Sequence, residues 1–353
     1  MEQALYHPEW GYYSSGRCAI GRRGDFFTSV SVGSLFGTML TAQFVEMWEI
    51  LGRPDRFTIV EQGANNGDLA ADVLRAAATL SPDFNQAARY LIVEPFPALQ
   101  RRQLDKLADF GGQVSWRKTL NDLEPFAGVH FSNELLDAMP VHLLRNDHSG
   151  WEELFVGERD GEFHFVRLRL SNSKGAEHVA KLPPLPIGYE TEVNLVALAW
   201  QEELSRKLAR GWLLTADYGH VRQSFYAPER STGTLRCSMQ RRVVPSPLNH
   251  AGHADITAHV EWTSIAECGL AHGLDLAGFA DQHHFLSALA TGLCREQFTP
   301  LAGAQTRRQL QALLHPTLLG RTFQFLALSR GIAPDQKLDG FRLASDPRRA
   351  LGL

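Results

Sequence analysis

Two acidic residues, each at the end of an apolar segment, carry the most specific chemistry in this sequence. Residues Phe57-Thr-Ile-Val-Glu-Gln-Gly-Ala-Asn-Asn-Gly67 predict a buried strand, a glycine turn and then a helix that begins near Asp68. Gly63 and Gly67 allow a sharp turn and a close approach of the backbone to a ligand. The next apolar strand, Tyr90-Leu-Ile-Val-Glu94, ends in a carboxylate that can accept hydrogen bonds from ribose hydroxyls. The two segments together predict a nucleotide site.

The spacing of the glycine turn distinguishes between possible nucleotide ligands. It reads acid-x-Gly-x-x-x-Gly, with Glu61 as the acid, whereas a dinucleotide site requires Gly-x-Gly-x-x-Gly. This spacing favours S-adenosylmethionine, held by a loop that contains Gly63, Asn65 and Gly67. We expect Glu94 to hold the ribose and Glu61 to lie under the loop or to meet the ammonium group of the donor. Asn133, further along the chain, is a further candidate contact of the donor. A branched side chain at Gly67 is expected to occupy the space of the donor's methionine moiety.

A purely structural interpretation of the same turn is a tight strand-to-helix connection with a surface glutamate. It explains the glycines but leaves the acid at the end of the second strand unexplained.

Length and composition exclude several classes of protein. The chain has 353 residues, 44% of them hydrophobic and 21% charged, which is typical of a globular protein with a sizeable core. The formal charge of −4 and the lack of a long basic tract argue against nucleic acid as a partner. The four cysteines form no Cys-x-x-Cys pair, so neither a zinc site nor a disulfide framework is expected: Cys18, Cys237, Cys268 and Cys294.

Predicted strands and helices alternate through the first third of the chain. After an ordered arm over residues 1–33, the periodicity predicts helix 34–51, strand 57–62, helix 68–80, strand 90–94, helix 97–109, a short strand near 113–116 and strand 128–132. Such alternation predicts a parallel sheet with helices on both faces.

The pattern changes after Asn133. Three antiparallel strands are predicted over 141–145, 151–156 and 162–170, followed by a long helix from about 190 to 210, a central strand over 211–217, loops over 219–258, two or three helices, and a final strand over 322–328. We therefore predict four parts: an arm and helix at 1–56, a donor-binding core at 57–133, an inserted substrate or partner subdomain at 134–210, and the remainder of the core at 211–353.

Polar residues at the predicted strand ends could face a methyl acceptor. Methyl transfer from a sulfonium donor requires no metal and depends on alignment of a nucleophile. Asn133 and Glu134 follow the fourth strand, Asp217 follows the central strand, and His259 lies in a predicted loop. Glu134 could hold a guanidinium and help remove its proton. The alternatives are that Asn133 caps a helix with Glu134 on its solvated first turn, and that His259 is a hydrogen-bonded structural residue.

The arm offers a further pair of donor contacts. Asp25 and Thr28, in Gly24-Asp-Phe-Phe-Thr-Ser29, supply a carboxylate and a hydroxyl that could close over the donor. A structural turn explains this segment equally well. The histidines at 250, 253, 283 and 284 lack an acid or cysteine partner set, so no metal site is predicted.

These motifs, in this order and nearly end to end, resemble the MidA family of S-adenosylmethionine-dependent methyltransferases. The resemblance is carried by the following segments: Leu5-Tyr-His-Pro, Gly11-Tyr-Tyr13, 24–29, Phe36-Gly37, Glu61-Gln-Gly63, Gly67, Asp72, Val93-Glu94, Asn133-Glu-Leu-Leu-Asp-Ala-Met-Pro140, Asp217-Tyr-Gly219, Gly233-Thr-Leu-Arg236, Asp255-Ile-Thr-Ala-His-Val260 and Leu319-Gly320. The family's mitochondrial branch is associated with arginine methylation of a complex I subunit during assembly.

The resemblance implies an α/β fold of the Rossmann-like class I methyltransferase type. This fold has a seven-stranded, mostly parallel sheet with helices on both faces, and here it would carry an inserted antiparallel and helical subdomain. The implied donor is S-adenosylmethionine and the implied product is S-adenosylhomocysteine. The implied partner is a protein substrate, of the respiratory-complex-subunit type, and a homodimer is a further expectation. Without a signal peptide, we expect a cytoplasmic protein in a bacterium and a mitochondrial matrix protein in a eukaryote.

The sequence departs from the family pattern at two informative places. The family loop Gly-Pro-Gly-x-Gly-Thr is replaced by Gly63-Ala-Asn-Asn-Gly67-Asp, where Asn65 tolerates a left-handed backbone better than most residues do. After Thr28-Ser29 the family continues Pro-Glu, whereas this chain has Val30-Ser31 and lacks that acid. The chain also starts within the first motif, so a truncated or alternatively started form is one interpretation.

Three functional hypotheses follow. The first is an enzyme that methylates a side-chain nitrogen, arginine above all, of a partner protein. The second is a catalytically weak or inactive assembly factor that keeps the fold and binds the donor. The third, a nicotinamide-dependent oxidoreductase, is disfavoured because the loop lacks the spacing for a pyrophosphate.

Overall fold

The computed structural model describes residues 1–15, 28–240, 242–295 and 303–353. Its strands are, in chain order, β1 (Phe57–Gln62), β2 (Ala88–Val93), β3 (Val114–Arg117), β4 (Phe126–Asn133), β5 (His142–Asp147), β6 (Gly150–Arg159), β7 (Glu162–Arg169), β8 (Glu190–Val193), β9 (Leu208–His220), β10 (Arg236–Met239), β11 (Arg242–Val243), β12 (Asp255–Thr257), β13 (Val260–Glu261), β14 (Asp275–Asp281) and β15 (Phe323–Arg330).

The α-helices of the described residues are α1 (Glu2–Tyr6), α2 (Leu35–Ile50), α3 (Asp68–Leu80), α4 (Pro82–Ala87), α5 (Pro97–Lys106), α6 (Ser173–Val179), α7 (Leu195–Lys207), α8 (Arg222–Phe225), α9 (Trp262–Ala271), α10 (Gln282–Arg295), α11 (Ala304–Leu314) and α12 (Pro347–Leu351). None of the described helices is long and apolar enough to cross a bilayer.

The main sheet has the strand order β3-β2-β1-β4-β9-β15-β14, and β13 pairs with the end of β9. The neighbours from β3 to β9 are parallel, whereas β15 is antiparallel to both β9 and β14. The carboxyl ends of β1, β2, β4 and β9 therefore meet at one edge of the sheet. This arrangement confirms the predicted seven-stranded, mostly parallel methyltransferase sheet.

Apolar side chains cover both faces of this sheet. On one face Phe36, Phe44 and Phe325 belong to a cluster that also includes α3 and α10. On the other face Trp200 and Trp262, from α7 and α9, pack against the sheet. Each fully buried aromatic side chain contributes about 1.5–3 kcal/mol of hydrophobic stabilisation. The two layers hold the strand ends in fixed positions.

Two smaller sheets accompany the main one. The order β7-β6-β5-β8 forms an antiparallel sheet within the predicted insertion, and β11-β10-β12 forms a second sheet within the stretch predicted as loops. The inserted antiparallel subdomain is thus present, and residues 219–258 contain more regular structure than expected. The division of the chain into four parts with separate roles stays a prediction.

Two sequence-based predictions of secondary structure were wrong. The single helix expected over 190–210 is divided into β8 and α7, because β8 pairs with β5 and Asn194 caps α7 by accepting from the Ala197 amide. The strand β14 was missed among the predicted helices. It is an edge strand with an irregularity between Leu276 and Gly278, and this weakens its period-two pattern.

The cysteines remain consistent with isolated thiols where they are described. Cys237 and Cys268 are free. Cys18 and the side chain of Cys294 lie outside the described residues.

Candidate functional site

A cleft of about 1070 Å³ lies at the carboxyl edge of the main sheet. Its lining includes two groups of residues that we name by position. The donor half comprises residues at the ends of β1 and β2 and in the segments that follow them: Glu61, Gly63, Asn65, Asn66, Glu94 and Phe96. The acceptor half comprises polar residues at the ends of β4, β9 and β12 or just after them: Asn133, Glu134, Asp137, Tyr218, Asp255 and His259.

The turn after β1 has the left-handed backbone that its sequence predicts. The φ angles are +81° at Gly63, +47° at Asn65 and +79° at Gly67. The Gly67 amide donates to the Ala64 carbonyl at 2.8 Å, and α3 begins directly afterwards. Asn65 therefore has the left-handed conformation that was predicted for it. Most other residue types would be strained at this position.

The reason given for Gly67 needs correction. A Cβ atom added there would meet the side chains of Leu107 at 3.3 Å and Gln103 at 3.5 Å, beneath the turn. Gly67 is also absent from the lining of the cleft. A side chain at this position would press against the segment around α5 instead of filling the donor's space. Its role as a donor-loop residue, through backbone conformation, stays a prediction.

Glu61 lies at the end of β1, lines the cleft and is 4% exposed. Its Oε2 accepts a hydrogen bond from the Tyr90 hydroxyl at 2.8 Å. Burial raises the pKa of Glu61 to about 7, although the Tyr90 bond acts in the opposite direction. Its location next to the donor turn agrees with the position expected for this acid.

Glu94 lies directly after β2 and is held at both carboxylate oxygens. Its Oε1 accepts from the Phe96 amide at 3.0 Å, and its Oε2 accepts from Gln103 Nε2 at 2.9 Å. Burial raises its pKa to about 7, and these two bonds limit the rise. Each oxygen has a second lone pair, so Glu94 retains the capacity to accept from a ligand hydroxyl in the cleft.

Asn133 and Glu134 form the centre of the acceptor half. Asn133 Nδ2 donates to Glu134 Oε1 at 2.9 Å, while the buried Asn133 Oδ1 has no hydrogen-bond partner among the described residues. Glu134 has a left-handed φ of +53°, and its amide donates to the Ala216 carbonyl at 3.0 Å. Burial, with the nearby charge of Asp137, raises the pKa of Glu134 well above its usual range. No helix begins here, so the interpretation of Asn133 as a cap with Glu134 on a solvated turn was wrong.

Asp217 holds the acceptor loop in place. Its Oδ2 accepts from the amides of Leu136 at 2.9 Å and Asp137 at 3.2 Å, and its Oδ1 accepts from the Tyr218 amide at 2.8 Å. It is fully buried and does not line the cleft. Burial and the charge of Glu134 raise its pKa to about 8. A direct catalytic role for Asp217 stays a prediction, and the geometry favours positioning.

Asp137 was not among the predicted site residues. It is 4% exposed and accepts a hydrogen bond from the Tyr218 hydroxyl, whereas its Oδ1 has no partner among the described residues. Burial and the charge of Asp217 raise its pKa well above its usual range. Its place in the Asn133–Pro140 motif was the available sequence signal. Two acceptor atoms, Asp137 Oδ1 and Asn133 Oδ1, are thus buried without donors in this half of the cleft.

His259 lines the cleft beside Tyr218. Its Nδ1 lies 3.1 Å from His220 Nε2, and its ring meets the Tyr218 ring edge-on at a centroid distance of 5.3 Å. Burial first, and then the charge of His220, lower its pKa to about 3. His259 is therefore a neutral imidazole at physiological pH. Its proposed catalytic role remains a prediction.

The N-terminal arm closes one side of the cleft. The Tyr6 hydroxyl donates to the Ala138 carbonyl at 2.9 Å, and its ring stacks on Phe96 at 6.1 Å. The Tyr13 hydroxyl donates to Asp255 Oδ1 at 2.6 Å. Thr28 lines the cleft as expected, with its Oγ1 3.0 Å from Ser31 Oγ. Asp25, the other predicted donor contact of the arm, lies outside the described residues.

The donor half has the right chemistry for S-adenosylmethionine. That molecule presents an ammonium group and two ribose hydroxyls, all of which donate hydrogen bonds. The cleft offers matching acceptors in Glu61, Glu94 and the unpartnered Asn133 Oδ1. The turn with Gly63 and Asn65 lines the same cleft. The residues present therefore fit the predicted donor.

Comparison with known proteins supports the same assignment. Residues 39–280 match a family model described as "Putative S-adenosyl-L-methionine-dependent methyltransferase". The chain is similar to the mitochondrial protein arginine methyltransferase NDUFAF7 of Homo sapiens, with 25% identity over 99% of this chain and 82% of the relative. Its Drosophila melanogaster homologue shares 27% identity over 94% of this chain and 80% of the relative.

A solved structure resembles the whole chain. It is a COG1565 superfamily protein from Burkholderia thailandensis, crystallised with S-adenosylhomocysteine bound. The TM-score is 0.86 at 33% sequence identity, and the alignment covers 97% of this chain and 88% of the other.

Proposed function

Because the chain belongs to this MidA-type family of S-adenosylmethionine-dependent methyltransferases, we propose that it methylates an arginine side chain of a partner protein. The relatives are named protein arginine methyltransferases, and these names support an arginine acceptor. The support is strengthened by the acceptor half of the cleft, whose chemistry suits a guanidinium.

The observation that carries this proposal is a pair of buried carboxyl groups, Glu134 and Asp137, that form no ion pair with a basic side chain of the described residues. Burial and the charge of Asp137 raise the pKa of Glu134 well above its usual range, and burial and the charge of Asp217 do the same for the pKa of Asp137. No basic side chain is among the causes of either shift. Asp137 Oδ1 adds an acceptor atom without a partner among the described residues. A guanidinium brings one delocalised positive charge and five N–H donors, which can pair with these oxygen atoms.

Different residues bind the methyl donor and the acceptor. Glu61, Glu94, Thr28 and the turn with Gly63 and Asn65 hold the donor. When bound, S-adenosylmethionine supplies a methyl group to a nucleophilic nitrogen, and the sulfur leaves with the electron pair as S-adenosylhomocysteine. The protein's task is then to align the nitrogen and to accept its proton.

Glu134 is the group proposed to orient and deprotonate the acceptor. Without a cationic neighbour, burial favours the protonated form of Glu134, in keeping with the upward direction of its pKa shift. An arriving guanidinium lowers the pKa of a neighbouring carboxyl, because the charged form is then stabilised. The acceptor thereby converts Glu134 into a carboxylate that holds the nitrogen and receives its proton as the new N–C bond forms. Asn133 fixes Glu134 from one side, and Asp217 fixes the following backbone.

The acceptor protein and the compartment are proposals of the same kind. We propose an acceptor of the respiratory-complex-subunit type, and a place of action in the bacterial cytoplasm or, in a eukaryote, the mitochondrial matrix. The mitochondrial names of the relatives support the second location.

A labelling experiment tests the proposal. The purified protein is incubated with deuteromethyl S-adenosylmethionine and host-cell extract, and modified peptides are identified by mass spectrometry. Label on arginine, lost with Glu134→Gln, is the expected result. Label on lysine or on carboxyl groups alone would refute the arginine acceptor. Tight donor binding without any label would favour the alternative, a catalytically inactive assembly factor that uses the donor as a structural ligand.

A further inference from the structure

The buried side chain of Gln103 links the donor turn to the carboxylate of Glu94. It lies on α5 with no solvent exposure, between the buried Leu99 and Leu107. Positions four residues apart share one face of a helix, so an apolar residue at 103 would continue this stripe. Burying an amide without partners is unfavourable, because the amide loses its hydrogen bonds to water and gains none in return. Its presence is therefore explained by what it binds.

Gln103 makes three hydrogen bonds to three different elements. Its Nε2 donates to the Asn65 carbonyl in the donor turn at 2.8 Å and to Glu94 Oε2 after β2 at 2.9 Å. Its Oε1 accepts from Trp116 Nε1 in β3 at 3.0 Å. The Trp116 indole N–H is only a donor, and the Asn65 carbonyl is only an acceptor. These two partners therefore fix the orientation of the amide.

The bond to Asn65 fixes the orientation of a peptide group in the cleft wall. Asn65 has a left-handed φ of +47°, a conformation strained for most residues with a side chain. No described peptide bond is cis, so the Asn66 N–H points opposite to the Asn65 carbonyl and hence away from Gln103. Asn65 and Asn66 both line the cleft. Without Gln103 this peptide loses the contact that opposes its rotation.

We propose that Gln103 is a positioning residue for the methyl donor. It holds the Asn65–Asn66 peptide and the Glu94 carboxylate in one fixed arrangement, and it sets donor affinity without contacting the donor. Gln103 thereby restrains the Asn65-Asn66 turn through a side-chain contact from α5. The proposal concerns donor binding alone, so it does not depend on which acceptor the enzyme uses.

Donor titration of Gln103→Met tests the proposal. Methionine keeps the length of the side chain but cannot form the three hydrogen bonds. The calorimetric Kd values for S-adenosylmethionine and S-adenosylhomocysteine are expected to rise about 10- to 100-fold, since two bonds to the donor half are lost. The KM for the donor should rise in parallel, while kcat at saturating donor stays within about threefold.

Gln113→Met is the matched control. Gln113 also donates to a backbone carbonyl, that of Asn85 at 2.7 Å, but it does not line or support the cleft. Its loss should leave donor Kd unchanged. Donor affinity in Gln103→Met equal to that of the control would overturn the proposal.

A second variant applies if Gln103→Met does not fold. Trp116→Phe retains an aromatic ring but removes the N–H that fixes the amide orientation of Gln103. A rise of donor Kd by about threefold, as for loss of one hydrogen bond, is expected in the folded variant. Unchanged donor affinity in folded Trp116→Phe would count against the proposal, because the hydrogen bond that this variant loses is the one to Gln103.

Discussion

Buried carboxyl groups have different neighbours and different pKa values in the two halves of the cleft. In the donor half, Glu61 and Glu94 each accept hydrogen bonds from the chain itself, and their pKa values rise only to about 7. In the acceptor half, Glu134 and Asp137 are crowded by further acids, and their pKa values lie well above the usual range. In the donor half the two carboxylates are already held by partners from the chain, whereas Glu134 and Asp137 form no ion pair with a basic side chain of the described residues.

This difference indicates how the two ligands are selected. The ribose hydroxyls of the donor need acceptors held in fixed positions, and Tyr90, Gln103 and the Phe96 amide hold Glu61 and Glu94 in this way. A cationic acceptor stabilises the ionised forms of Glu134 and Asp137, and each carboxylate in turn attracts the cation. Variants in the two halves should therefore separate donor affinity from turnover.

The largest effect is expected for Glu134→Gln. The variant keeps the size of the side chain but cannot become a carboxylate, so turnover should fall at least about 100-fold through loss of the proton acceptor. Donor Kd should stay within about threefold, since the donor half is untouched. Methyl transfer to the labelled protein substrate and donor calorimetry measure the two quantities.

Glu124→Gln serves as the control for this variant. Glu124 is exposed just before β4, and its replacement should alter neither quantity. Normal turnover in Glu134→Gln would reduce Glu134 to a structural residue of the acceptor loop.

Glu94→Gln should show the opposite separation. Loss of the charged acceptor is expected to raise donor Kd about tenfold, as for a hydrogen bond to a charged group, while turnover at saturating donor remains near normal. Donor calorimetry and steady-state kinetics check both values. Asp105→Asn, exposed on the outer face of α5, provides a charge-matched control. A fall in kcat without a change in donor Kd would exclude Glu94 from the donor half.

The sequence was sufficient to locate the strands and the turn of the donor half because their signals are local. One strand, one glycine turn and one acid at the next strand end lie within about forty residues, and helix α3 has the bounds that were expected. The central strands could be predicted from the sequence because burial on both faces gives continuous runs of apolar residues. The resemblance to a known family then supplied the sheet topology.

The acceptor half was only partly predictable because its contacts are distant in the chain. Asp137 meets Tyr218 across 81 positions, and Tyr13 meets Asp255 across 242. No local period marks such pairs. Gln103 was missed for a related reason. A glutamine in an amphipathic helix is normally predicted to be exposed, and the three buried partners of Gln103 lie in other elements of the chain. The failure at 190–210 reflects the short strand β8, whose four residues are fixed by pairing with β5.

The free energy of unfolding of the ligand-free protein should fall as pH rises from about 6.5 to about 8. Folded Glu61 and Glu94, with pKa values of about 7, and Asp217, at about 8, still hold protons that the unfolded chain has already lost near pH 4. Raising pH therefore favours the unfolded state. Buried histidines such as His259, with a pKa of about 3, act in the opposite direction, but only below about pH 6.5. Urea titrations at several pH values measure the slope.

Asp137→Asn sharpens this prediction. It removes a carboxyl whose pKa is raised by burial and by Asp217, so the slope between pH 6.5 and 8 should become shallower and stability at pH 8 should rise. Turnover should fall, since the cationic acceptor loses a partner. A stability that increases with pH over this window in the wild type would contradict the description of the acceptor half as an uncompensated acidic site.

The smallest effect concerns the turn beneath the donor half, where Gly67→Ala is compared with Gly52→Ala. Both glycines have left-handed φ angles, +79° and +90°, so alanine should cost about 1–2 kcal/mol of unfolding free energy at each. A Cβ at Gly52 meets nothing within 4 Å, whereas one at Gly67 meets Leu107 and Gln103. Only Gly67→Ala should therefore also weaken donor binding, by about threefold, through displacement of Gln103 and loss of part of its hydrogen bonding.

Equal stability losses with unchanged donor affinity in both variants would show that the contact beneath the turn does not affect the cleft. Abolished donor binding in Gly67→Ala with no loss of stability would instead restore the idea that its side chain enters the donor's space.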